Sequence, residues 1–120
     1  MAYRVHVYED SQGKSEIKEW IQQMNKSSSK MDKSILKKLY FQVGRLESEG
    51  FSLNEPVSKK LKGYDLYELR PVPYRIFYAT FKGDEFVLLH YFYKKSNKTP
   101  KKEIEKARSN LADWIERNGE

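Results

Sequence analysis

A chain of 120 residues can bury one modest core, so residues 1–120 are read as a single domain. Cysteine is absent, two distant histidines (His6, His90) argue against a zinc site, and no long apolar run or signal-peptide pattern occurs, so a cytoplasmic protein without membrane, metal or cofactor is expected. With 23 basic against 17 acidic residues the formal charge is +6, which favours an anionic partner, either nucleic acid or an acidic protein.

Tyr3, Val5 and Val7 alternate with Arg4 and His6, the period-two signature of a strand with one buried face. After the polar break Asp10-Ser11-Gln12-Gly13, apolar residues at Ile17, Trp20, Ile21 and Met24 follow the spacing of a short amphipathic helix. The serines between Lys26 and Lys30 suit a turn and the cap of a second helix. Its stripe runs through Met31, Ile35, Leu39, Val43 and Leu46, widened by Leu36 and Tyr40, until Gly50 offers a left-handed end. Gly44 inside that helix marks either close packing against a neighbour or simple tolerance.

From Pro56 the pattern changes to short β-branched or aromatic runs broken by turn residues. Gly63 separates Val57–Lys62 from Asp65–Arg70, the Pro71-Val72-Pro73 segment separates that from Tyr74–Phe81, and Lys82-Gly83-Asp84 turns the chain into Phe86–Tyr93. An antiparallel meander is expected, with the last strand, apolar on both faces, inside the sheet. Thr99-Pro100 suits a helix start, Thr99 capping, and Ile104, Ala107, Leu111, Trp114 and Ile115 form one face of the helix that follows. The predicted class is therefore α+β, helices on a mostly antiparallel sheet in the order β-α-α-β-β-β-β-α. Residues 94–108 carry seven basic and two acidic groups, a local +5 that a phosphate-binding surface and a solvated helix face explain equally well.

Leu66-Tyr67-Glu68-Leu69-Arg70, Tyr74-Arg75-Ile76-Phe77-Tyr78, Leu88-Leu89-His90-Tyr91-Phe92-Tyr93-Lys94-Lys95, Lys98-Thr99-Pro100 and Glu103-Ile104 occur in that order. Together they resemble the phage-derived HigB group of RelE-like toxins. The resemblance covers residues 55–108, and the helical N-terminal half agrees in pattern only. It implies the RelE-like fold and the toxin of a type II toxin–antitoxin system, a ribosome-dependent mRNA endonuclease (mRNA interferase). Its implied partners are the ribosome, mRNA in the ribosomal A site and a HigA-like helix-turn-helix antitoxin. Two other readings remain: a catalytically silent RNA- or protein-binding module of the same fold, and a phage structural protein.

Cleavage by ribose 2′-OH attack needs a base, an acid, and cations at the phosphate, a task that suits the guanidinium fork. Arg75 resembles the family's arginine at the scissile phosphate, the alternative being a surface arginine paired with Glu68. Arg70 ends the preceding strand, and a hairpin can bring it beside Arg75. Lys94 and Lys95 match the basic pair of RelE-like toxins at this point. The base is left between Glu68, which stands where RelE has a lysine, and Glu55, which resembles the acidic position of the YoeB relatives; the tyrosine of RelE's last helix is replaced near Ile104. Lys59, Lys60, Lys62 and Lys98 are candidates for tracking an RNA backbone, and Tyr93, with Tyr64 and Tyr67, for stacking on bases, ordinary surface and core roles being the alternatives. His90, inside an apolar strand, is expected to be a hydrogen-bonded core residue.

Overall fold

The computed structural model describes residues 3–119 and has the predicted element order: β1 (Arg4–Val7), α1 (Glu16–Lys26), α2 (Lys30–Glu49), β2 (Ser58–Lys60), β3 (Tyr67–Leu69), β4 (Tyr74–Phe81), β5 (Glu85–Tyr93) and α3 (Lys101–Asn118). The five strands form one open sheet in the order β1-β5-β4-β3-β2. From β2 to β5 it is the expected antiparallel meander, whereas β1 joins the far side of β5 in parallel, Arg4 opposite Glu85 and Val7 opposite Leu88. As its apolar sequence requires, β5 lies inside the sheet.

Both faces of the sheet are covered. On one, Leu69, Ile76, Tyr78, Phe86 and Leu88 pack against Ile17, Trp20 and Met24 of α1 and Ile35, Leu36, Leu39 and Leu46 of α2. On the other, Phe77, Ala79, Phe81, Val87, Leu89 and Phe92 receive Ile104, Ala107 and Trp114 of α3. β1 is therefore not one-faced: Val5 and Val7 meet the first cluster, while the His6 ring lies against Phe81 and Trp114 at 5.5 and 5.6 Å.

Local chemistry sets the element ends. Ser15 and Ser29 cap α1 and α2 by accepting the backbone N–H groups of Lys18 and Asp32. Gly50, at φ +55°, ends α2 where the Tyr3 ring leaves no room for a Cβ. Gly44 meets nothing within 4 Å, so it is tolerated and does not mark close packing. Two residues expected on the α2 stripe, Met31 and Tyr40, are 68% and 54% exposed, because they lie at its margins, turned from the sheet. The cap expected of Thr99 is not made: α3 begins after Pro100 with no side-chain cap, and the Thr99 hydroxyl accepts from Lys94 Nζ at 3.3 Å instead.

One irregularity positions α3. A register shift after Phe77/Tyr78 leaves Leu89 without a partner on β4, and its carbonyl takes a 2.9 Å hydrogen bond from Nδ2 of the buried Asn110. Asn110→Ala strands that carbonyl; an expected loss of about 1–3 kcal/mol is readable as a lower urea midpoint at unchanged slope. A second handle is Tyr78, whose hydroxyl lies 2.6 Å from Ser58 Oγ and whose pKa burial pushes up to about 12. The unfolded phenol titrates near 10, so stability is level below about pH 10 and falls as the pH rises towards 12. Tyr8, pushed up to about 12 by burial and then by Asp113, adds to the same limb. Tyr78→Phe is expected to make the alkaline fall in melting temperature shallower without abolishing it.

Candidate functional site

The strand register decides which site residues meet. Residues opposite each other in an antiparallel ladder share a face. Glu68 opposes Phe77, Phe77 opposes His90, and Arg75 opposes Phe92, so Glu68, Arg75 and His90 stand on the α3 side of the sheet. This end of the sheet extends past the β3–β4 turn, where the backbone N–H of Lys94 donates to the Pro73 carbonyl.

Glu68 is the centre. Its side chain is 3% exposed, and Oε1 lies 3.3 Å from Nε of both Arg70 and Arg75. The two contacts differ in kind. Arg70 Nε donates a hydrogen bond, whereas Arg75 Nε, buried and close, is not aligned to donate to anything. The Arg75–Glu68 contact is thus an ion pair by distance only, and Arg75 keeps a spare donor while its Nη1 donates to the Tyr74 carbonyl at 3.1 Å. Arg70 also lies 3.6 Å from the Oε1 of Glu55, whose side chain is 64% exposed.

Arg70 is fixed from behind by Gln42 of α2, a residue that periodicity alone does not single out. Gln42 Nε2 donates to the Arg70 carbonyl at 2.8 Å, and the Arg70 N–H donates to Gln42 Oε1 at 3.0 Å. The available signal was a polar residue in register with the α2 stripe, three after Leu39 and four before Leu46. Asn110 interrupts the α3 stripe in the same way, three after Ala107 and four before Trp114.

The sheet thus brings together Glu55, Glu68, Arg70 and Arg75, with Lys94 at the turn beside them and Lys59 opposite Glu68 on β2. Both parts of the alternative for Arg75 are now separated: the pairing with Glu68 exists, but the side chain is 17% exposed and not a surface group. His90 is hydrogen-bonded as expected, its Nε2 2.7 Å from Glu103 Oε1, tying β5 to the first turn of α3. Lys62, Lys95 and Lys98 are exposed outside the cluster. Tyr93, opposite Tyr74 and edge-on to it at 5.4 Å, faces away from Arg75, and Lys60 opposes Tyr67 on the α1–α2 side. Among the described residues no three histidine or acidic side chains come together to hold a metal ion, and no helix is long and apolar enough to cross a membrane.

The class these features belong to is that of the RelE/HigB-like toxins, a phage-derived branch of it. The matching family model is described as Phage derived protein Gp49-like (DUF891), it covers residues 26–112, and the chain belongs to that family. The match takes in α2, the meander, every member of the cluster and most of α3. No curated protein matches the chain.

The cluster's electrostatics are testable without any substrate. Glu68→Gln keeps the shape but removes the counter-charge of two guanidiniums that are 23% and 17% exposed. Partial solvation moderates the loss to an expected 1–3 kcal/mol, roughly, below that of a fully buried broken pair. Chemical denaturation of the variant against the unaltered chain measures it, and an unchanged midpoint would show the ion pairs to be energetically idle.

Proposed function

We propose that the chain is the toxin of a type II toxin–antitoxin pair, an mRNA interferase that cuts messenger RNA in the ribosomal A site without a metal ion. The observation that carries this reading is Arg75. Its guanidinium stands on the strand that bears the family motif, beside Arg70 on one shared carboxylate, and is 17% exposed with one hydrogen bond, from Nη1 to the Tyr74 carbonyl. A planar fork with unspent Nη donors, largely enclosed and held in place, suits a phosphate whose oxygens gain charge in the transition state.

The reaction follows from that placement. The ribose 2′-OH gives its proton to the base as its oxygen attacks the adjacent phosphorus, a cyclic phosphate closes, and the bond to the 5′ oxygen breaks, that oxygen leaving as a hydroxyl with a proton taken from the acid or from water. Arg75 and Arg70 hold the phosphate oxygens, and Lys94, steadied by Thr99, adds a third cation from the β5 side. Between the two carboxylates considered for the base, exposure favours Glu55: it reaches solvent, whereas Glu68 is enclosed and aligns the guanidiniums. The basic balance of +6 supports a HigA-like helix-turn-helix antitoxin with an acidic or wrapping segment as the partner that restrains the toxin.

One observation favours the second reading, a silent RNA- or protein-binding module. Glu68 already lies against both guanidiniums, so an incoming phosphate must compete with it. Inducing the chain alone, then with the product of the neighbouring gene, while mapping mRNA 5′ ends in translating cells, decides between them. Intact mRNA and unaltered growth would leave only the module. The diagnostic variant is Arg75→Lys, which keeps the charge beside Glu68 but loses the fork. Cleavage is expected to fall at least about a hundredfold with the melting temperature nearly unchanged. Arg75→Ala is less informative, because it also removes a counter-charge from Glu68.

A further inference from the structure

Beyond the cationic cluster, three cavities of about 410, 240 and 550 Å³ have Lys60 in their walls, the first two against α3 and the third against β2 and the segment before it. We propose that the largest is a nucleobase subsite, in which an unpaired base of the RNA next to the scissile phosphate stacks on Tyr67. This deepens the endonuclease reading and rests on it.

The ring of Tyr67 is half-buried in the groove wall and backed by that of Tyr78, 5.3 Å away and 22° from parallel. Tyr78 is itself held by the hydrogen bond between its hydroxyl and Ser58, on the edge strand β2 beyond β3. With one ring face covered and the pair braced, Tyr67 has little rotamer freedom left to lose on binding, the condition under which an aromatic ring is an effective stacking platform. Leu53 closes the groove with an apolar wall, while Lys59 and Lys60, both exposed, stand where a sugar–phosphate backbone would pass. Asn54, also in the wall, carries an amide that can donate to and accept from a base edge.

Glu55 connects this groove to the cluster across the sheet edge. Glu55 lines it and also lies 3.6 Å from Arg70, so one residue joins it to the guanidinium pair. Tyr67 lies on the sheet face opposite Arg75, so a strand with its phosphate on Arg70 and Arg75 enters the groove past Glu55, round the β2 edge. The volume, within the range of ordinary ligand sites, exceeds what a phosphate group fills. A duplex keeps its bases stacked on one another, so only a single-stranded nucleotide can place its ring there. Stacking accepts any base, and Asn54 supplies the edge contact that makes one base better than another.

The test is single-turnover cleavage on ribosomes programmed with mRNAs that carry an abasic residue at each position flanking the cut, using unaltered protein, Tyr67→Phe and Tyr67→Leu. In unaltered protein and Tyr67→Phe, one abasic position is expected to slow cleavage about tenfold, the size of one lost stacking contact. Tyr67→Leu is expected to cut the intact mRNA about tenfold more slowly and to be indifferent to the abasic residue. Tyr67→Met serves if the leucine variant does not fold, and the abasic series with unaltered protein stands in either case. Equal cleavage of every abasic mRNA by the unaltered protein overturns the subsite and leaves the endonuclease standing. So does an abasic penalty that persists in full without the aromatic ring. Failure of the unaltered protein to cut intact mRNA removes the endonuclease and the subsite with it.

Discussion

The constraint on which the architecture depends is that β5 is apolar on both faces. Phe86 and Leu88 point one way, Val87, Leu89 and Phe92 the other, and none tolerates water. A meander of four strands with helices on one side would leave half of them bare. The chain answers with α1 and α2 on one face and α3 on the other, and β1 occupies the edge of β5 that the meander leaves open. The last helix is thereby drawn across the face that carries Glu68 and Arg75, and its first turn reaches His90 through Glu103. The site is a by-product of covering a hydrophobic strand twice.

Within that frame the charged cluster is held by polar groups set into apolar stripes. Gln42 clamps the backbone of Arg70, Glu68 gathers two guanidiniums, and Asn110 settles the carbonyl that the bulge leaves free. Each is buried with its hydrogen-bonding capacity largely met, the state in which polar groups specify one arrangement at little cost. Arg75 Nε is the exception among these groups. Glu68 acts towards the arginines as an internal anion, neutralising them at a distance short enough for attraction and too poorly aligned to satisfy Arg75.

Much of this was legible from the residues. Helical periodicity placed α1 and the single apolar face of α3, β-branched and aromatic runs separated by glycine and proline placed β4 and β5, and the double-faced pattern of β5 put it inside the sheet. What escaped was non-local. Nothing in Tyr3–Val7 shows that the strand runs parallel to a partner eighty-odd residues on, and nothing near Thr99 shows that its hydroxyl is claimed by Lys94. Met31 and Tyr40 fit the α2 stripe by spacing but lie where its margin leaves the sheet, since an amphipathic pattern gives direction and not the width of the surface to be covered. At the site, the motif-bearing strands indicated Arg70, Arg75 and Glu68 as neighbours. The sharing of one carboxylate by both arginines depends on hairpin register, which loop length leaves open. Which face Tyr93 takes also depends on register, a single step along the strand from Phe92 placing it opposite to Arg75.

The parallel pairing of the first strand with the fifth bears on how the chain comes into being. A ribosome releases Arg4 long before Glu85, so β1 waits, unpaired, while the helical hairpin and then the meander emerge. Closing so distant a contact is slow compared with forming a helix or a turn. The strands that carry the arginines leave the tunnel before α3. The face on which His90 is tied to Glu103 is therefore covered only once α3 has followed the meander out of the tunnel.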